Sequence, residues 1–139
     1  MRKTIFSLAT MLFLLVSTLQ VSSNQQKAEN QQTTSIGMVI YSNDVETTWN
    51  EFRLANYSKN QGDTVSVFLL GKGVEVDKLV NENEDLKKQV DSFLENGGTI
   101  LGCGTCLKSR KNDEPQVCTF SSLADLYALI RKNKIVLTF

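Results

Sequence analysis

Five short apolar runs separated by helical patterns or loops constrain this chain more than any other feature. They are "SIGMVIYS" from Ser35, "TVSVFLL" from Thr64, "TILGC" from Thr99, "QVCTF" from Gln116 and "KIVLTF" from Lys134. Runs this short, apolar throughout and bounded by polar residues, are expected of strands buried on both faces. Between the first two, Val45, Trp49, Phe52 and Ala55 recur at helical spacing behind Asn43 or Asp44 as a cap, and Gly62 closes the segment. Leu79, Leu86, Val90, Phe93 and Leu94 predict helix before the third run, with "NENED" as a break and Gly97-Gly98 as a stop. "SSLADLYALIRKN" predicts a helix capped by Ser121 or Ser122 before the last run. Apolar strands alternating with helices imply βαβ units and a parallel sheet covered on both faces.

The chain has 139 residues, enough for one domain and one hydrophobic core. Its first 23 residues place Arg2 and Lys3 ahead of an apolar run from Ile5 to Val16, then small and polar residues, which is the layout of a secretory signal peptide. A cut after Ser23 would leave Val21 and Ser23 at the two recognition positions. Residues 24–34, "NQQKAENQQTT", form a polar tether without apolar periodicity, and the folded domain is expected over residues 35–139. The protein is therefore expected to be exported, to the periplasm, and free of the membrane once the segment is removed. Without that segment the net charge is about −2 and no basic stripe runs along the chain, so nucleic acid is not an expected partner.

In an open parallel sheet, ligands collect outside the carboxyl ends of the strands. The sequence puts "SND", "GKG" and "CGTC" after the first three strands and Cys118 in the fourth, so all four regions are candidates for one rim. Lys72 in "GKG" reads as a solvated turn residue, because a phosphate-binding loop needs a longer glycine frame. Trp49 and Phe52 read as core. Cys103 stands where the third strand turns into a short helical stretch, and backbone N–H groups at such a turn favour thiolate over thiol. Gly104 allows a tight turn and a close approach. Arg110 lies about two helical turns on and reaches back only if the loop folds over.

Three cysteines allow at most one internal pair, and the absence of histidine removes Cys-His catalytic pairs and His-containing zinc sites. The C-x-x-C of Cys103 and Cys106 then admits disulfide exchange, persulfide carriage or a purely structural turn, and spacing alone does not rank them. Zinc would need a fourth ligand beyond Cys103, Cys106 and Cys118, so no metal and no other cofactor is expected.

Taken in order, "VIYSND", "NEFRLAN", "VFLLGKGV", "CGTCLKSR" and "KIVLTF" resemble the DsrE/DsrF-like sulfur-relay family, most closely its small YchN-like members. The resemblance covers Ile36 to Phe139. It implies a three-layer α/β/α sandwich with a five-stranded parallel sheet, assembled as a homotrimer or hexamer and working with a sulfur-donor or thiol partner protein. In the relay members one cysteine after the third strand accepts sulfur as a persulfide; by position this is Cys103, with Cys106 as a second catalytic candidate. Asn43, Gly104, Thr105 and Arg110 are the candidate substrate-binding positions, Arg110 matching an arginine near the end of the family's loop. Family members usually carry Arg-Gly where this chain has Arg110-Lys111, so the loop here is expected to take its own path. A competing expectation is a binding or assembly module whose cysteines only shape the loop.

Overall fold

A computed structural model describes residues 32–139. The expected signal segment, residues 1–23, and residues 24–31 of the tether lie outside the described residues. The strands are β1 (Ser35–Ile40), β2 (Thr64–Leu69), β3 (Thr99–Cys103), β4 (Thr119–Ser121) and β5 (Ile135–Thr138). The helices are α1 (Val45–Asn60), α2 (Val76–Glu82), α3 (Glu84–Glu95), α4 (Gly104–Ser109) and α5 (Leu123–Lys132), with a 3-10 turn over Gly71–Glu75.

All strands pair in parallel, in the order β4-β3-β2-β1-β5. The crossovers through α1 and through α2–α3 step in one direction along the sheet, and the crossover through α5 steps back across it. Right-handed connections then put α1 and α3 on one face and α5 on the other, which gives three layers. On the first face the side chains of Phe52 and Phe93 meet edge to face at 5.8 Å over Met38, Ile40 and Val67, all buried. On the second face α5 lies so close to the sheet that a Cβ on Gly37 would stand 2.5 Å from the Leu129 side chain. A glycine in the middle of a strand, ordinarily a weakness, is here what lets the helix seat.

Local chemistry sets most boundaries. Asp44 caps α1 by accepting the N–H of Thr47, and Asn43 is left for another role. The "NENED" break resolves at Asn83, whose side chain caps α3 through the N–H of Leu86. Ser122 caps α5 in a reciprocal box with Asp125. The covering of the sheet is uneven, however. The central strands are buried on both faces, but β4 and β5 are mostly exposed, because among the described residues α5 alone covers its side.

The fourth strand differs from the expected Gln116–Phe120 and begins only at Thr119. The reason is Asp77 on α2, buried at 8% exposure. Its Oδ1 accepts the backbone N–H groups of Gln116 (2.6 Å) and Val117 (2.8 Å), and its Oδ2 accepts from the Asn112 side chain (3.0 Å). Those N–H groups are thereby taken from the sheet ladder, and the loop after the cysteines is pinned to α2. Asp77→Asn turns one acceptor into a donor against groups that must donate. It is expected to cost about 2 kcal/mol in urea unfolding, without changing the fold.

Candidate functional site

The loops after β1, β2 and β3 converge at the carboxyl end of the sheet. β3 delivers Cys103 as its last residue and as the N-cap of α4, with Cys106 in the first turn of that helix. Cys103 is buried at 6% exposure, whereas Cys106 is half-buried. The two thiols are neighbours. Burial, followed by a hydrogen bond to Cys103, holds the Cys106 thiol above the ordinary cysteine range, against an opposing pull from the Gly71 N–H. Gly71 donates that N–H to Cys106 Sγ at 3.3 Å. It does so from φ +58°, a left-handed backbone that suits glycine at the exit of β2.

Arg110 does fold back. It ends α4, and its Nη1 donates to the carbonyl of Cys106 (3.2 Å) and to Ser109 Oγ (3.3 Å). Its Nε donates to Glu75 Oε1 at 2.7 Å. Glu75 Oε2 accepts from the Asn43 side chain at 2.9 Å. Hydrogen bonds from Arg110 and then Asn43 hold the Glu75 carboxyl below its usual range. Glu75 thus joins the loops after β1, β2 and β3 in one polar cluster beside the thiols.

The structure therefore brings Asn43, Cys103, Cys106 and Arg110 together, although Asn43 and Arg110 meet through Glu75 rather than directly. Gly104 packs below Phe120 and Ser121 of β4, where an added Cβ would meet both at 3.2 Å. Thr105 is exposed on α4. Lys72 is exposed in the 3-10 turn, as its reading as a turn residue anticipates. Trp49 is half-buried against the core and carries the Arg53 guanidinium at 4.4 Å from its ring centroid, while Phe52 is fully buried. Glu75 is the member that sequence reasoning missed. Its only local signal is that it ends the turn opened by "GKG", and its partners lie 32 and 35 residues away.

Cys118 does not join this rim. It precedes β4 instead of lying within it, and a Cβ on Gly102 would meet its Sγ at 2.6 Å. Burial, with a smaller contribution from the Asp77 charge, pushes its thiol up to about 12. A thiol so hard to ionise is a packing group rather than a nucleophile. Lys111, which stands where family members usually have glycine, adopts φ +56°. It holds a backbone conformation that glycine favours, and Arg110 just before it turns back onto the cluster. Among the described residues no three Cys, Asp or Glu side chains form a group able to hold a metal ion, and no helix is long and apolar enough to cross a membrane.

Residues 34–139 match the DsrE/DsrF-like family. No curated protein matches the chain. Among solved structures it is similar to the YchN protein from E. coli, with a TM-score of 0.64 and 18% identity over 77% of this chain and 99% of that one. It is equally similar to a conserved protein of unknown function from Bacteroides thetaiotaomicron, with a TM-score of 0.64 and 19% identity over 76% of this chain and 95% of that one. At these identities the likeness is one of fold.

Proposed function

The chain belongs to the DsrE/DsrF-like family, and from that premise we propose that its Cys103–Cys106 pair carries sulfur as a persulfide, with the second thiol able to discharge it. The observation that carries this reading is the placement of two neighbouring thiols at a strand-end rim, one of them held protonated beside the other. In the first step the Cys103 thiolate attacks the outer sulfur of a donor persulfide. A new S–S bond forms, the donor's S–S bond breaks, and the donor leaves as a thiolate that takes up a proton. In the second step, if no acceptor protein intervenes, the Cys106 thiol loses its proton and attacks the inner Cys103 sulfur. Hydrosulfide leaves, the pair closes as a disulfide, and an external thiol resets it.

Asn43 and Arg110, with Glu75 between them, form the polar wall beside which a donor is positioned, and Gly104 and Thr105 flank the approach. The layout of the N-terminal residues supports export to the periplasm, where the same pair also serves thiol redox exchange. A homo-oligomer, trimer or hexamer, is supported by α5. Leu123, Tyr127 and Ile130 stand at i, i+4 and i+7 on its outer side, exposed by 70%, 65% and 45%. An apolar stripe of that kind suits a second copy of the chain as its cover.

A second order of events, in which Cys106 takes the sulfur first, is favoured by its greater exposure. Competitive alkylation with iodoacetamide near pH 7 separates the two. The proposed order predicts Cys103 labelled first and Cys118 last; Cys106 labelled first would exchange the roles, and three equally inert thiols would leave a structural loop. Glu75→Gln removes the charge that neutralises Arg110, so the labelling rate of the pair is expected to rise about threefold, with Cys118 unchanged.

A further inference from the structure

The turn that follows β2 grips α4 at two points, and both lead to Cys106. Glu75, at the end of the turn, holds Arg110, and Arg110 holds the Cys106 carbonyl. Gly71, at its start, donates its N–H to Cys106 Sγ at 3.3 Å. Leu70, just before it, is still extended and gives its own N–H to the carbonyl of Ile40 in β1 (2.9 Å). The chain then curls. Gly73 donates back to the Leu70 carbonyl (2.9 Å) and lies so close to β1 that a Cβ there would collide with the Ile40 carbonyl oxygen. The Gly71 N–H thus leaves the sheet, and among the described residues its acceptor is a sulfur.

Space does not explain this glycine. A Cβ at Gly71 would meet Tyr41 Cδ1 at 3.9 Å, which is ordinary contact. What the position requires is φ +58°, the backbone from which the N–H reaches Cys106. The hydrogen bonds also order the two thiols. Cys106 accepts from Gly71, while its bond to Cys103 keeps it protonated, so its proton lies between the sulfurs. An N–H held on sulfur is a weak contact while the proton stays. It strengthens as the proton leaves, because charge-assisted hydrogen bonds are roughly twice as strong as neutral ones. Arg110 also favours charge at Cys106, but Glu75 pairs with it, and Lys72 of the turn acts on Glu75.

We propose that the Gly71 backbone amide is a catalytic group of the cysteine pair, holding Cys106 Sγ while negative charge develops on it. This rests on the reading of Cys103 as the sulfur acceptor. In the discharge step Cys106 gives its proton to solvent, and its sulfur forms the bond to the inner Cys103 sulfur as the bond to the outer sulfur breaks. The outer sulfur leaves with that electron pair as hydrosulfide. The two cysteines are oxidised as it is reduced, so no further oxidant enters. Gly71 touches the attacking atom of this step and has no part in the first, where Cys103 accepts the incoming sulfur.

The test exchanges the Gly71 N–H for an ester oxygen in the full chain, which deletes the donor and adds no side chain. The readout is the pH profile of Cys106 alkylation by iodoacetamide, followed by peptide mass spectrometry before any sulfur is added. Its midpoint should rise by about one unit, the effect of one hydrogen bond to a charged sulfur. Discharge of sulfur from Cys103 near pH 7 should slow by only about threefold, since a more basic thiolate is scarcer but more nucleophilic, and uptake should not change. Gly71→Asn keeps the N–H and tolerates the left-handed backbone, so it should behave as the wild type. The same ester exchange at Gly73 breaks a hydrogen bond inside the turn without touching the thiol, and should leave the midpoint in place. An unmoved midpoint in the Gly71 ester, or an equal shift in the Gly73 ester or in Gly71→Asn, would overturn the proposal. A midpoint that shifts as expected in a chain taking up no sulfur would uphold the hold of Gly71 on Cys106 and overturn the sulfur reading instead, so the two failures are distinct.

Discussion

Cys103→Ala is expected to abolish uptake of sulfur from a persulfide donor, a fall of about tenfold or more in the mass-shifted fraction. Cys106→Ala should keep the adduct and lengthen its lifetime, because no second thiol is left to expel hydrosulfide. Cys118→Ala should change neither, since a thiol pushed up to about 12 by burial contributes almost no thiolate near neutral pH. The three variants separate carriage from a structural loop: in a loop that only needs small residues, Cys103→Ala and Cys106→Ala behave alike.

Glu51→Gln is expected to change how stability depends on pH, by about 3 kcal/mol at its largest. Glu51 lies on α1 at 2% exposure, and among the described residues neither carboxylate oxygen has a hydrogen-bond partner; Thr48 Oγ1, one turn earlier, has none there either. Burial raises its pKa from the ordinary 4.5 to about 7. The folded chain therefore keeps this proton where the unfolded chain releases it. The resulting stabilisation is complete below about pH 4.5 and is lost as pH rises through about 7. Glutamine preserves the shape and removes the ionisation. In urea unfolding the variant should match the wild type near pH 4.5 and exceed it by about 3 kcal/mol near pH 8. Parallel profiles across that range would mean that the carboxylate is solvated in the folded state.

The central strands and α1 were legible because their signals are local. Runs such as "TVSVFLL" have nowhere to go but a doubly covered sheet, and Asp44, Asn83 and Ser122 cap the helices that follow them. The cysteine pair was legible too, since strand ends collect chemistry in this topology. Two of the failures involve partners distant in sequence, and the third a burial that spacing does not mark. Asp77 sits 39 and 40 residues from the N–H groups it removes from β4, so the pattern of "QVCTF" alone could not place that strand. Glu75 has no motif around it, and becomes a bridge only when β1 and β3 stand on either side of β2. Glu51 falls between the apolar positions of α1, and nothing in its spacing distinguishes a buried acid from a solvated one.

The central claim, that Cys103 receives sulfur, is tested most directly by treating the reduced full chain with a persulfide donor and locating the added mass by tandem mass spectrometry. The account predicts an increase of about 32 Da on Cys103, with a Cys103–Cys106 disulfide accumulating as the adduct decays. No adduct, or one confined to Cys106 or Cys118, would contradict it.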